Sequence, residues 1–200
     1  MSQGGVIIDR LVGLAFEASG RGSLVKLIPK LQPEQIQPLV HELEQINSNE
    51  VAWEDVLRNE HRFIRIRIFE SPNPITWVQE LLLFLLSHDR SSIRAAKEQH
   101  DLAVAQLRLL TAEMALRCYR SEQGQTPLRL DQLVPKYLQQ VPSDPFSAHP
   151  LVYRPQSTNW LLYSVGPERG DDGGKRNGRI LQHDQNNPTN TGDLFYDSPW

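Results

Sequence analysis

The chain has 200 residues, 39% of them hydrophobic and 22% charged, with a formal net charge of −3. A chain of this length can bury a core of its own, and its composition excludes an intrinsically disordered protein. Its weak negative charge and scattered arginines (only Arg62, Arg65 and Arg67 cluster) exclude a broad basic face for nucleic acid. Cys118 stands alone, which excludes a disulfide framework or a cysteine-based metal site within the chain.

In chain order, Val6–Ile8 is too short an apolar run for a signal peptide, and Asp9, Arg10 and Glu17 interrupt the stretch after it. Ile36, Leu39, Val40, Leu43 and Ile46 recur at helical spacing and predict a helix over about 33–47. Pro33 suits its first turn. Pro38 removes a ladder hydrogen bond, so the helix is expected either to kink there or to start near it. Asn47 and Glu50 have the spacing of a capping box opening a second helix, about 50–68, along Trp53, Val56, Leu57, Phe63, Ile64 and Ile68. Phe63–Phe69 also alternates with period two, but the helical stripe runs into it unbroken, so helix is preferred over strand.

Ser71-Pro-Asn-Pro74 breaks the helix, because each proline disfavours helix at the residue before it. From Ile75 to Gln123 there is neither proline nor glycine. Leu102, Ala105, Leu109, Ala112, Leu116 and Tyr119 form a stripe there. This predicts either a helix over about 75–100 followed by another, or one long helix bent near Ser87–Ser92. Gly124 ends it. The apolar run Leu81–Leu86 is far shorter than the ~18 residues of a membrane span. After Gly124 the prolines divide short segments. Leu151–Arg154 and Asn159–Val165 predict a β-hairpin, and the Gly/Asp-rich stretch from Gly166 to Gly192 predicts a long loop.

The residues offer few routes to chemistry. The six histidines are dispersed, and neither a Gly-x-Ser-x-Gly elbow nor a His-Glu-x-x-His motif occurs. His88 and His100 are twelve apart and could share a helix face, but a solvated or hydrogen-bonded role for them outweighs zinc. Gly170-Asp-Asp-Gly-Gly174 would set two negative charges where a phosphate must sit. What remains is the acidic loop. Glu168, Asp171, Asp172 and the returning Asp193 supply carboxylates of the hard-oxygen kind that Ca2+ prefers, and glycines allow carbonyls to turn inward. The competing readings are a solvated turn and a carboxylate pair of the glycosidase type, which needs one acid in an apolar pocket. The spacing does not fit an EF-hand, since the twelfth position from Asp171 is Gln182.

From about Ala103 to Asp197 the chain resembles the soluble part of the type II secretion major pseudopilin and related type IV pilin-like domains. A helix ending in Ala115-Leu-Arg-Cys-Tyr119 is followed by Glu122-Gln-Gly-Gln-Thr-Pro127, similar to the family's "G-x-x-P". Leu130-Asp-Gln-Leu-Val134 and Tyr137-Leu138 come next. Val141-Pro-Ser-Asp-Pro-Phe146 resembles its "D-P-W-G" turn. Leu162-Tyr-Ser-Val-Gly-Pro167 is similar to "S-x-G-p-D-G", and Gly192-Asp193-Leu194 to the terminal "x-D-I". The family has Asp where this chain has Glu168. Its processed N-terminus and apolar assembly helix have no counterpart in residues 1–100.

The resemblance implies an α+β fold: a long helix packed on a small antiparallel sheet, with a Ca2+ loop near the C-terminus. Carried over by position, the ligands would be Glu168, Asp171, Asp172 and Asp193, with main-chain oxygen near Ser164. The expected organisation is a helical region over 1–100 and a pseudopilin-like α+β domain over 101–200. The expected function is a non-enzymatic envelope or scaffold protein whose C-terminal loop is stabilised by Ca2+. It would act through a protein partner or self-assembly, outside the cytoplasm, with an upstream anchor missing from this chain. The alternative is a helical interaction module in residues 1–100 on a structural pilin-like support, with Trp53, Phe63, Trp77 and Phe84 as exposed anchors. A carboxylate-dependent hydrolase comes third.

Overall fold

The computed structural model describes residues 7–70, 90–157, 159–175 and 192–196. Among these lie four α-helices, namely α1 (Ile7–Leu27), α2 (Pro33–Ser48), α3 (Trp53–Glu70) and α4 (Arg90–Gln123). One antiparallel pair comes after them, β1 (Val152–Pro155) and β2 (Trp160–Tyr163), which makes the chain α+β. No helix among the described residues is long and apolar enough to cross a membrane. The chain divides into two compact units, one of residues 1–17 and 50–100, the other of 18–49 and 101–200. Residues 18–49 thus belong with the C-terminal half.

In the first unit Trp53, Val56 and Ala96 form a small core, with Ile7, Leu11, Val51, Leu57 and Ile93 packed on it. Trp53 is buried, so it is core and not an exposed anchor. Arg10 pairs with Glu50 and with Glu17 (3.1 Å), and donates Nε–H to His100 Nδ1 at 3.2 Å. Of the solvated and hydrogen-bonded roles expected for it, His100 has the second, tilted against Trp53 with ring centroids 5.6 Å apart. The expected capping box does not form. Asn47 lies inside α2, Glu50 turns to Arg10, and α3 starts at Trp53, where the Ala52 carbonyl accepts from Asp55 and Val56. Long-range ion pairing has displaced a local cap. Helix α3 continues through 63–69, as the unbroken stripe predicts. The side chain of Phe63, the Ser71–Pro74 break, the start of the 75–100 helix, the bend near Ser87–Ser92, Trp77, Phe84 and His88 lie outside the described residues.

In the second unit α2 begins at Pro33, where a missing N–H costs nothing, and Gln35 Oε1 accepts the Gln32 N–H at 2.9 Å. The helix neither stops nor restarts at Pro38; that residue sits inside it, on the exposed side. Ile36 and Val40 are buried, worth roughly 1.5–3 kcal/mol each before ordering costs. Ile46, expected on the same stripe, is 47% exposed. Helix α4 supplies Leu102, Ala105, Leu109, Ala112 and Leu116 to the core and closes on Gly124. Gly124 adopts φ +69°, and its N–H reaches the Arg120 carbonyl at 2.9 Å, a left-handed glycine cap. Cys118 is buried and donates its S–H to the Pro33 carbonyl at 3.8 Å; burial, with Glu122 and Glu34 nearby, pushes its thiol up to about 11.

A 3-10 turn at Leu130–Leu133 drops Leu130 and Leu133 into the same core. The hairpin then pairs Val152 with Tyr163, Tyr153 with Leu162, Arg154 with Leu161 and Pro155 with Trp160. Pro155 falls at the strand end, where its missing N–H is tolerated. Strand β2 stops at Tyr163, two residues short of the expected Val165, because Ser164 pairs with the returning Leu194 instead. A buried polar contact joins helix and hairpin. Glu113 Oε2 accepts from Trp160 Nε1 at 2.7 Å, while Arg117 Nε holds Oε1 at 2.8 Å. The Arg120 guanidinium lies 5.0 Å from the centroid of the Trp160 ring.

Candidate functional site

From Tyr163 at the end of β2, the buried residues Ser164, Val165 and Gly166 carry the chain into the acidic loop. Gly166 adopts φ +72°, and a Cβ there would lie 3.1 Å from the Gly192 carbonyl oxygen. Only glycine combines that conformation with so close a neighbour. The return segment is fixed by reciprocal bonds between Ser164 and Leu194, N to O, of 2.9 and 2.8 Å.

Each expected ligand has a definite place. The Ser164 hydroxyl donates to Asp144 Oδ1 at 2.9 Å, and its carbonyl accepts the Leu194 N–H, so both of its oxygens already have partners. Glu168 is exposed in the turn after Gly166. Asp171 Oδ1 accepts the Tyr163 hydroxyl at 2.6 Å and the Gly173 N–H at 2.8 Å, while Oδ2 takes Arg154 Nη2 at 3.0 Å. Asp172 is exposed. Asp193 is buried, and its Oδ2 accepts the Gly174 N–H at 2.6 Å while Oδ1 lies 3.4 Å from the Asp172 nitrogen.

The electrostatics arise from these partners. The Tyr163 hydroxyl and Gly173 N–H, with Arg154 behind them, hold the Asp171 carboxyl below the usual range. Burial pushes Asp193 up against the help of two backbone N–H groups, and the charges of Asp171 and Asp172 push the same way. Tyr163 is driven upward by burial and by its bond to Asp171. Asp171 and Asp193 therefore hold backbone in place. The five expected residues are not brought together as one ligand set: Ser164 faces Asp144, and Asp171 is engaged by Tyr163 and Arg154. Asp172 and Asp193 alone would leave most of the about six to eight oxygens that Ca2+ takes to carbonyls and water. Among the described residues no group of three or more His, Cys, Asp or Glu side chains converges on a point that could hold a metal ion.

Asp144 is the residue that sequence reasoning missed. It is fully buried and accepts three hydrogen bonds, from Ser164 Oγ, the Phe146 N–H and the Val165 N–H, each 2.9 Å. Its own backbone closes the 144–149 turn, with its N–H donating to the His149 carbonyl at 2.6 Å and its carbonyl accepting the Ala148 N–H at 2.8 Å. The Asp-Pro step in Val141–Phe146 marked a turn, but nothing in its spacing pointed to residue 164.

Two surface hollows lie away from the acidic loop. One is lined by Glu44, Asn47, Arg108, Thr111, Gln139 and Gln140, the other by Leu128, Leu130, Val141, Leu151 and Tyr153. Neither contains a residue of the expected acid set. No family model, curated protein or solved structure matches the chain.

Proposed function

We propose that this chain is a non-enzymatic, pseudopilin-like scaffold or interaction protein of the bacterial cell envelope, and that its acidic C-terminal loop is a structural clasp. The observation that carries the non-enzymatic reading is the fate of the carboxylates. Asp144, Asp171 and Asp193 are occupied with backbone N–H groups, a serine, a tyrosine and an arginine. A general acid or base must instead present its proton or lone pair to a substrate within hydrogen-bond reach. The pilin-like part of the reading is supported by the order of the motifs along Ala103–Asp197. It is also in keeping with a long helix that closes on Gly124 ahead of an antiparallel hairpin. Action through a protein partner or self-assembly, outside the cytoplasm, belongs to the same reading. The helical-module alternative draws no support from Trp53, which is buried.

The test is fractionation and in-cell cross-linking of the tagged native gene product. Recovery in the envelope fraction, within cross-linked species larger than the monomer, is the expected result. A monomeric protein recovered only from the cytosol would overturn the reading.

A further inference from the structure

Arg154 sits on β1 opposite Leu161, yet its side chain leaves the hairpin and reaches the acidic loop. Its Nη2 lies 3.0 Å from Asp171 Oδ2, and its guanidinium carbon is 5.7 Å from the centroid of the Tyr163 ring. Its Nη1 is the nearest atom, at 3.9 Å, to the point where a Cβ on Gly173 would stand. One guanidinium thus lies against three successive parts of the clasp: the tyrosine that ends β2, the first aspartate of the loop, and the glycine turn after it. Asp171 is shaped to receive it, because Tyr163 and Gly173 both use Oδ1 and leave Oδ2 facing Arg154.

Building on the reading of the loop as a structural clasp, we infer that Arg154 is the loop's resident counter-cation and lets it close without a divalent ion. The resemblance assigns charge neutralisation in this loop to Ca2+, whereas this chain carries a positive charge on the neighbouring strand, tethered covalently and therefore present at all times. A guanidinium suits the task. It stays charged at every physiological pH, its fork matches a carboxylate, and its flat face can lie over a tyrosine ring. Arg154 positions Asp171 and does not act on a substrate.

The experiment is hydrogen exchange at the Gly173 and Gly174 amides in the full chain. Wild type, Arg154→Gln, Arg154→Lys and Tyr163→Phe are each measured in excess Ca2+ and in chelator, with far-ultraviolet circular dichroism confirming the fold. Because the Arg154–Asp171 pair is about half exposed, Arg154→Gln should speed exchange by roughly two- to fivefold, with Arg154→Lys in between. The wild type should exchange equally in Ca2+ and in chelator. Wild-type protection that collapses in chelator, or an Arg154→Gln variant that exchanges like wild type, overturns the inference. Tyr163→Phe separates the two levels. If it opens the loop while Arg154→Gln does not, the clasp stands and only the counter-cation is lost. If neither variant opens the loop, the clasp reading falls as well.

Discussion

Replacing Asp144 with alanine should be among the most damaging single changes in the second unit. The carboxylate is fully buried and accepts the Ser164 hydroxyl and the N–H groups of Phe146 and Val165. Alanine leaves those three donors without their acceptor. The Ser164 hydroxyl can rotate to another partner, but the two N–H groups are fixed by the backbone. An orphaned buried donor costs about 1–3 kcal/mol, and bonds to a charged acceptor fall in the upper part of that range, so Asp144→Ala should cost about 3–6 kcal/mol. Asp144→Asn keeps one acceptor oxygen and turns an amide NH2 toward the remaining donor, a cost of about 2–3 kcal/mol. Ser164→Ala removes the donation to Asp144 and the acceptance from the Gly166 N–H at 3.2 Å, and should cost about 1–2 kcal/mol. Urea denaturation followed by circular dichroism reads these values as midpoint shifts at constant slope. A loss below about 1 kcal/mol for Asp144→Ala, or equal losses for all three variants, would refute the claim that Asp144 ties the 144–149 turn to the start of the loop.

Three further outcomes are expected. Gly174→Ala should destabilise by about 1–3 kcal/mol, because a Cβ would stand 2.5 Å from Leu161 Cδ2 at a φ of +85°; a melt unchanged from wild type would mean that the loop does not press on β2. Trp160→Phe should cost about 1.5–3 kcal/mol by removing the indole N–H from buried Glu113, and a Glu113→Gln background should shrink that loss in a double-mutant cycle. Asp171 and Asp193 should titrate with opposite effects on stability. Asp171, held low, contributes stability above its unfolded pKa and loses it as pH falls through its folded value. Asp193, pushed up, favours the fold most at low pH, and that contribution is lost as pH rises through its folded value. Melting curves taken from about pH 3 to 7 should therefore show the deficit of Asp171→Asn closing in acid, and the difference between wild type and Asp193→Asn moving in favour of wild type as pH falls. Gaps that stay constant across this range would show that the two shifts do not bear on folding.

What the sequence revealed was what periodicity and punctuation encode. The apolar stripes located α2, α3 and the C-terminal part of α4, Gly124 marked a helix end, and the prolines and aromatics placed the hairpin within a residue or two. The errors arose where a distant partner outcompeted a local signal. Asn47 and Glu50 have capping-box spacing, but Arg108 donates to the Asn47 side chain at 2.8 Å and Arg10 captures Glu50. Pro38 stays inside α2 because one missing ladder bond is outweighed by burial of Ile36 and Val40 on either side of it. In the acidic loop, composition identified the residues but not their tasks. That Asp171 answers to Tyr163 and Arg154 depends on the hairpin register, which brings residue 154 to the edge of a loop seventeen positions later. Asp144 was hidden for the same reason, since its carboxylate oxygens reach a partner twenty positions along the chain.

The Glu113–Trp160 bond has a consequence for how the helix finds its seat on the hairpin. An apolar stripe such as Leu109, Ala112 and Leu116 is tolerant, because shifting it by one turn trades one aliphatic neighbour for another. A carboxylate in the middle of that stripe is intolerant. In any shifted alignment Glu113 would enter the interior without the indole N–H, leaving Oε2 buried and short of its donor. Arg117, one turn on along the same helix, travels with Glu113 and cannot tell one alignment from another. Trp160 supplies that discrimination, so this polar pair works as a proofreading mark against misaligned docking of a permissive apolar stripe.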